Sequence, residues 1–399
     1  MTLPPGHARR HIALFSNDPG GLGHLSRTLK IARYLRDRWP ESRQLIVTGS
    51  PGVEILPLPE GAELLKLPSI TSSGFRKHAA RYLPISFEQI RGLRRDLMLD
   101  LARHYQPDVA LVDHLPAGPG GDLVPCLREM KARSPRTRLV LGLRDVIYEP
   151  EMLRRAWDAE GVYQLLDELY DLILVYGPRE VLDTVETYGF PPAVAKKTHH
   201  VGYLGASRPA AGPAVVRARL GLGTGRLVVV TVGGGDRGVS LLHTMVEALE
   251  LMPGPLPFDC VLVCGPLTSS AGVNELRQKV RHRPGLHVLH RTPDLIDCMA
   301  AADLVVATAG YNSVCEILSL DRPAILVPQA FEIGEQPLRA QLLSRLGLFR
   351  AIQPADLSPA RLLTAVLEIR EDPPAARPPI DLGGLRTTAA ELERLLDGA

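Results

Sequence analysis

Lysine is scarce in this 399-residue chain. Only Lys30, Lys66, Lys77, Lys131, Lys196, Lys197 and Lys279 occur, and the rest of the 46 basic residues are arginine. An excess of either charge is also lacking: 44 acidic residues leave a formal net charge of +2. That balance excludes a dedicated nucleic-acid binder, which concentrates basic charge. Aromatic residues make up just 5% of the chain, beside 45% hydrophobic and 23% charged, the composition of a soluble globular protein. No apolar run approaches the ~20 residues of a membrane span. The segment Met1–Arg10 has no apolar stretch of the kind a secretory signal needs. The cysteines, Cys126, Cys260, Cys264, Cys298 and Cys315, are odd in number and form no C-x-x-C pair. Their places inside apolar runs predict reduced, buried thiols in a cytoplasmic protein.

What the chain does have is alternation. Short apolar runs at His11–Ser16, Gln44–Thr48, Ala62–Leu67, Val109–Val112, Arg138–Leu143, Leu172–Val175 and Thr198–Tyr203 read as strands. Helical patterns such as Leu25–Arg38, Phe87–Tyr105 and Leu123–Arg133 lie between them. The pattern restarts with Leu227–Val232, Cys260–Cys264, Leu286–Leu289, Leu304–Ala307 and Ala324–Pro328, and ends on a helical tail near Leu385–Leu396. Repeated strand–helix alternation predicts parallel sheets covered on both faces. The expected fold class is therefore α/β, with two doubly wound, Rossmann-like domains facing a cleft. The Pro- and Ala-rich run 207–213 reads as a linker between residues 1–206 and residues 214–399, the latter carrying the last helix. In such folds ligands bind beyond the carboxyl ends of the strands.

The most telling stretch runs from Thr308 to Glu316. A buried strand breaks at Gly310, and Asn312 and Ser313 then open a helix. The first-turn N–H groups of a helix lack intrahelical partners and its dipole favours negative charge, so this turn suits a diphosphate. Glu316, one turn further in, is placed to reach an attached ribose. Gly233-Gly234-Gly235-Asp236-Arg237 repeats the strand–glycine–helix logic; it fits either close backbone approach to a phosphate or a plain tight turn. Glu335-Gln336 offers a carboxylate and an amide suited to sugar hydroxyls, and equally suits a solvated helix start.

In the first half, Gly20-Gly21-Leu22-Gly23-His24 follows strand one. It lacks the Lys-Ser/Thr of a P-loop. No acidic residue follows the second strand, as a nicotinamide site would require. His24 would project from the first helical turn, where a neutral imidazole can accept a proton, or it simply caps the helix. Asp113, at a strand's carboxyl end, could orient His24 or cap the next turn. The Arg-rich segment 76–103 carries an apolar stripe at Phe87, Ile90, Leu97, Met98, Leu101 and Tyr105. It fits core packing with a solvated arginine face, or peripheral contact with an anionic membrane.

Together, Gly310-x-Asn312-Ser313-x-x-Glu316 and the later Glu335-Gln336 resemble the donor signature of GT-B glycosyltransferases that use nucleotide sugars. The early Gly20-to-His24 loop and the Gly233–Gly235 loop make the layout most similar to the peptidoglycan N-acetylglucosaminyltransferase type (family 28-like). The resemblance implies an inverting hexosyltransferase that needs no metal or cofactor and uses a nucleotide sugar, UDP-linked, as substrate. It implies that Gly234, Gly235, Gly310, Asn312 and Ser313 hold the diphosphate, and that Glu316 holds the ribose with Arg291 and Thr292 against the base. Glu335 and Gln336 would contact the donor sugar. His24 would be the general base supported by Asp113, and the loop of Gly20, Gly21 and Gly23 would face the acceptor. The acceptor would be lipid-linked or a natural-product aglycone, with the protein cytoplasmic or peripheral at the inner face of the membrane. The sequence departs from its relatives at Thr308, where they often place His or Arg, and at Glu335-Gln336, which replaces Gln-Gln. A nucleotide-sugar 2-epimerase of the same fold and a non-catalytic sugar-nucleotide-binding subunit are the other two expectations the pattern allows.

Overall fold

The structure is a computed structural model that describes residues 10–16, 21–74, 77–206, 208–234, 238–290, 292, 295–329, 334–369 and 378–398. Gly20, Arg76, Gly235, Asp236, Arg237 and Arg291 lie outside the described residues. The chain divides into two compact units, Met1–Leu204 with Gly383–Ala399, and Gly205–Leu382.

In the first unit β1 (His11–Ser16), α1 (Gly23–Arg38), β2 (Arg43–Thr48) and β3 (Ala62–Lys66) lead into a small hairpin, β4 (Ile70–Gly74) and β5 (Lys77–Ala80). Then come α2 (Phe87–His104), β6 (Val109–Asp113), α3 (Val124–Arg133), β7 (Arg138–Arg144), α4 (Pro150–Ala159) and α5 (Val162–Leu169). The unit continues with β8 (Leu172–Tyr176), the short α6 (Thr184–Thr187) and α7 (Pro192–Lys196), and β9 (Thr198–His200). Seven strands form one parallel sheet in the order β3-β2-β1-β6-β7-β8-β9. The order reverses between β1 and β6, which makes that edge the topological switch point of the sheet. Strands β6 and β8 are buried at every residue, as parallel strands covered on both faces must be. Phe15, Val112, Leu141 and Leu166 lie in the core beneath the helices.

The second unit holds α8 (Pro213–Leu220), β10 (Leu227–Thr231), α9 (Val239–Glu250), β11 (Asp259–Val263), α10 (Ser270–Val280) and β12 (Leu286–Leu289). It goes on with α11 (Leu295–Ala301), β13 (Leu304–Ala307), α12 (Tyr311–Leu320), β14 (Ala324–Leu326), α13 (Glu335–Arg345), β15 (Arg350–Ala351) and α14 (Pro359–Glu368). The six-stranded sheet has the order β12-β11-β10-β13-β14-β15, and here the winding reverses between β10 and β13. All five cysteines are buried and none is in a disulfide. Among the described residues no helix is long and apolar enough to cross a membrane.

Two boundaries differ from the sequence expectation. The run 207–213 is not a free linker: Ala206 N donates to Ser319 Oγ (2.9 Å), Ala210 N donates to Asp297 Oδ1 (2.8 Å), and Pro213 opens α8. The last helix, α15 (Gly384–Asp397), belongs to the first unit rather than the second. Its amphipathic pattern announces a buried face without saying which sheet receives it. Specific pairs settle that: Trp39 Nε1 donates to Glu393 Oε1 (2.9 Å), Arg10 bonds Asp397 (2.9 Å), and His199 Nδ1 lies 3.0 Å from Glu391. Backbone approach completes the seat, because a Cβ on Gly384 would lie 2.6 Å from Gly202 O and 2.7 Å from Tyr203 O. Gly384→Ala should therefore destabilise the protein by about 1–3 kcal/mol, the usual scale for overpacking. An unchanged thermal or urea transition would show that this helix does not need its close seat.

Candidate functional site

In the first unit the chemistry stands at the switch point. Ser16, the last residue of β1, pairs in register with Asp113, the last of β6, which in turn pairs with Gly142 of β7. Gly21 and the buried Leu22 lead into α1, whose first residue, Gly23, is exposed and whose first turn carries no acid. Residues three apart share a helix face, so His24 and Arg27 project together. Both reach Asp113. His24 Nδ1 lies 2.6 Å from Asp113 Oδ2; Arg27 donates from Nε to Oδ1 (2.7 Å) and from Nη2 to Oδ2 (2.6 Å). Arg27 and Asp113 are 2% and 4% exposed.

Burial alone would raise the Asp113 carboxyl. The Arg27 charge, together with the hydrogen bond and charge of His24 and the Arg27 hydrogen bond, overrides it and holds the group down at about 2. An ionised carboxylate only accepts, so Nδ1 of His24 carries a proton toward Asp113, and in the neutral imidazole the lone pair a base needs is then on Nε2. Arg27 is the residue that sequence reasoning missed. The signal was there, in the His24-x-x-Arg27 spacing on one helix face.

Around this pair stand further polar groups. His114 takes a left-handed backbone (φ 67°), unusual for a non-glycine residue, while its N–H donates to Gly142 O (2.8 Å). Its ring lies 5.4 Å from that of His24 and 5.9 Å from that of Tyr148, and Arg144 Nη2 is 2.6 Å from its Nε2. Tyr176 buries its hydroxyl with no hydrogen-bond partner among the described residues. Burial and then the Asp113 charge push that phenol well above its ordinary range.

In the second unit three loops converge at the other switch point. Gly310, in extended conformation (φ −66°, ψ 143°), precedes α12 with no side-chain cap. After β10, Gly233 turns with φ 70°, a conformation that glycine adopts without strain. A Cβ placed there would come within 3.4 Å of Ser313 Oγ, so the β10 loop and the first turn of α12 abut. Gly234 follows it, half-buried. Thr308 is buried, and its N–H donates toward Thr231 O (3.4 Å). The loop after β14 joins them: a Cβ on Gly238 would lie 2.8 Å from Gln329 Nε2, and Gln329 N donates to Gln336 Oε1 (3.1 Å).

The sequence-derived residues of this unit thus fall into groups. Gly234, Gly310, Asn312 and Ser313 gather on the converging loops, and half-buried Glu316 sits further along α12. Thr292 follows β12, two strands away from β10 in the sheet. Glu335 and Gln336 separate into different roles. Glu335 is 7% exposed and its Oε1 is bound by Arg339 Nη2 (2.8 Å), whereas half-buried Gln336 braces the loop of Gln329. Arg339, wholly buried, also donates from Nη1 to Ala309 O (2.9 Å), with its guanidinium 5.8 Å from the Tyr311 ring centroid. A fixed cation is therefore anchored at the turn where the sequence has only Thr308. The i, i+4 spacing of Glu335 and Arg339 on one helix was its legible sign. Among the described residues no cluster of His, Cys, Asp and Glu could hold a metal ion.

Residues 227–381 match the glycosyltransferase family 28 C-terminal domain. A UDP-N-acetylglucosamine–N-acetylmuramyl-(pentapeptide) pyrophosphoryl-undecaprenol N-acetylglucosamine transferase of Corynebacterium efficiens is 31% identical over 163 residues, 39% of this chain and 41% of that protein. The chain thus spans about two fifths of the length of that relative. The transferase of the same name from Acetivibrio thermocellus is 22% identical over 365 residues, 88% of each chain. Among solved structures, the calicheamicin glycosyltransferase CalG4 superposes with a TM-score of 0.62 at 18% identity, covering 98% of both chains. A Listeria monocytogenes chain assigned as a UDP-N-acetylglucosamine 2-epimerase superposes with a TM-score of 0.65 at 12% identity, again over 98% of each. The fold is that of the GT-B glycosyltransferases, two Rossmann-like domains. Over residues 227–381 the chain is similar to the family 28 glycosyltransferases.

The Asp113 charge makes stability depend on pH in a defined direction. Its folded pKa, about 2, lies below the ordinary value of 3.8. The stabilisation, about 2 kcal/mol at ~1.4 kcal/mol per unit, is present above pH 4 and is lost as pH falls through 2. The gap in melting temperature between the protein and its Asp113→Asn variant should narrow between pH 4 and pH 2. A gap that stays constant over that range contradicts the assignment.

Proposed function

We propose that the chain is an inverting transferase that moves a hexose from a UDP-sugar to an acceptor hydroxyl. The observation that carries this reading is the ionised, buried Asp113 holding His24 at 2.6 Å, at the switch point of a chain whose other unit matches the glycosyltransferase family 28 C-terminal domain. His24 Nε2 takes the proton as the acceptor O–H bond breaks. The acceptor oxygen attacks C1 of the sugar, the bond from C1 to the phosphate oxygen breaks, and the diphosphate leaves with the electron pair. Developing charge on the leaving group is met by the start of α12 at Gly310, Asn312 and Ser313. Glu316 holds the ribose, Thr292 lies toward the base, and Gln336 reaches the sugar. The relatives named above make UDP-N-acetylglucosamine the first donor to test.

The acceptor we favour is lipid-linked rather than a water-soluble aglycone. Tyr82 (71% exposed), Leu83 (45%), Leu93 (43%) and Leu97 (36%) stand out in water on α2 and the segment before it, with Arg81, Arg91 and Arg95 among them. Leu97 of the apolar stripe faces solvent, whereas Ile90 and Met98 of the same stripe are buried. Apolar side chains interleaved with arginine suit the surface of an anionic bilayer. The protein should sediment with phosphatidylglycerol vesicles and a Leu93→Asp/Leu97→Asp variant should not; equal sedimentation of both would reject this face as the contact.

His24→Ala should lower turnover by about 10²–10⁴-fold with UDP affinity little changed, the usual scale for losing a general base. Turnover within a few-fold of the unmodified protein removes His24 from the mechanism. Glu316→Ala should weaken UDP binding about tenfold or more, on the scale of a hydrogen bond to a charged group; calorimetry showing unchanged affinity would reject the ribose assignment. An epimerase of this fold would interconvert the sugar nucleotide without any acceptor, and that incubation distinguishes the two chemistries.

A further inference from the structure

We infer that Arg27 is a positioning residue for the base, a third member that fixes which atom of His24 carries the proton and how tightly the pair holds it. This rests on the reading of His24 as the base. A buried arginine–carboxylate pair does little for stability by itself, since apolar residues of like volume serve as well. Arg27 is placed for more than packing. It binds both oxygens of Asp113, at 2.7 and 2.6 Å, and its Nη2 lies 3.2 Å from His24 Nδ1.

Two consequences follow from that geometry. Before reaction, the guanidinium keeps Asp113 ionised despite burial, so the carboxylate accepts from Nδ1–H and, in the neutral imidazole, the lone pair is held at Nε2. After His24 has taken the acceptor's proton, the imidazolium sits beside a fixed positive charge as well as a negative one. The opposed charges moderate its hold on the proton, so the base can be restored for the next turnover. An Asp113–His24 pair alone would bind that proton more tightly, because nothing would oppose the carboxylate.

The charged and titratable groups placed against the pair are Arg27 from α1, Tyr176 from β8, and His114 from the loop after β6, with Tyr148 and Arg144 reaching it through His114. Of these, Arg27 bonds Asp113 directly and brings Nη2 to 3.2 Å from Nδ1.

The test is the titration of the His24–Asp113 couple, followed by NMR of the His24 imidazole in the full-length protein, with Arg27→Gln and Arg27→Lys variants. Removing the fixed charge in Arg27→Gln should move the couple's titration upward by about one pH unit or more, a tenfold gain in proton affinity, as for loss of a close cation. Arg27→Lys, which keeps the charge, should titrate close to the unmodified protein. The acid limb of kcat/KM should move with it. If Arg27→Gln titrates as the unmodified protein does, Arg27 is structural only and the inference fails, even where His24→Ala is inactive. If His24→Ala retains full turnover, it is the base assignment that fails. Should Arg27→Gln not fold, the Arg27→Lys variant carries the test alone: a shift of a full unit with the charge retained would overturn the account.

Discussion

A doubly wound parallel sheet reverses its winding at one point, and there two neighbouring strands send their following chain to opposite faces, opening a gap at the carboxyl edge. Here this happens twice, between β1 and β6 and between β10 and β13. The first gap receives the start of α1 and the end of β6, hence His24, Arg27 and Asp113. The second receives the β10 loop and the start of α12, hence Gly233, Gly234, Gly310 and Ser313. Both places expose helix starts where polar backbone and buried charge must be satisfied locally. In the first, Asp113 remains charged because three donors replace the water it has lost. In the second, Arg339 secures the Ala309 carbonyl and Glu335 together, so that the turn at Gly310 is braced from below.

Much of this was legible in the sequence because periodicity reports burial directly. The runs at His11–Ser16, Leu286–Leu289 and Leu304–Ala307 are strands over those same residues, and the other expected strands differ by a few residues at their ends, while the two-residue β15 was not expected. The hairpin of β4 and β5 was not legible: Ile70–Gly74 and Lys77–Ala80 are short, polar and half-exposed, so alternation carries little signal there. The placing of α15 was hidden for another reason. An amphipathic helix shows that a partner exists, whereas Glu391, Glu393 and Asp397 find theirs on α1, β9 and the chain before β1 through folding of the whole.

At the site, sequence reasoning found the glycines and the small polar residues, whose chemistry is visible one residue at a time. It missed the buried arginines. Arg27 and Arg339 look like ordinary members of basic helices until the fold shows that each is shielded from water and bonded to a carboxylate. Glu335, read as a sugar ligand or a solvated helix start, is buried and paired with Arg339. The fold itself does not choose a reaction, since a 2-epimerase and a calicheamicin transferase share it about equally well. The proposed reaction rests on residues, on His24 with its ordered carboxylate, and on the family 28 match in the other unit.

The most direct test of the account is hydrogen–deuterium exchange of the full chain with and without saturating UDP. Slowed exchange is expected across 308–316 and at 231–234, where backbone N–H groups would close on the diphosphate, with a smaller effect around 334–339. Exchange in 308–316 that is unchanged by bound UDP would contradict the assignment of this turn as the nucleotide grip.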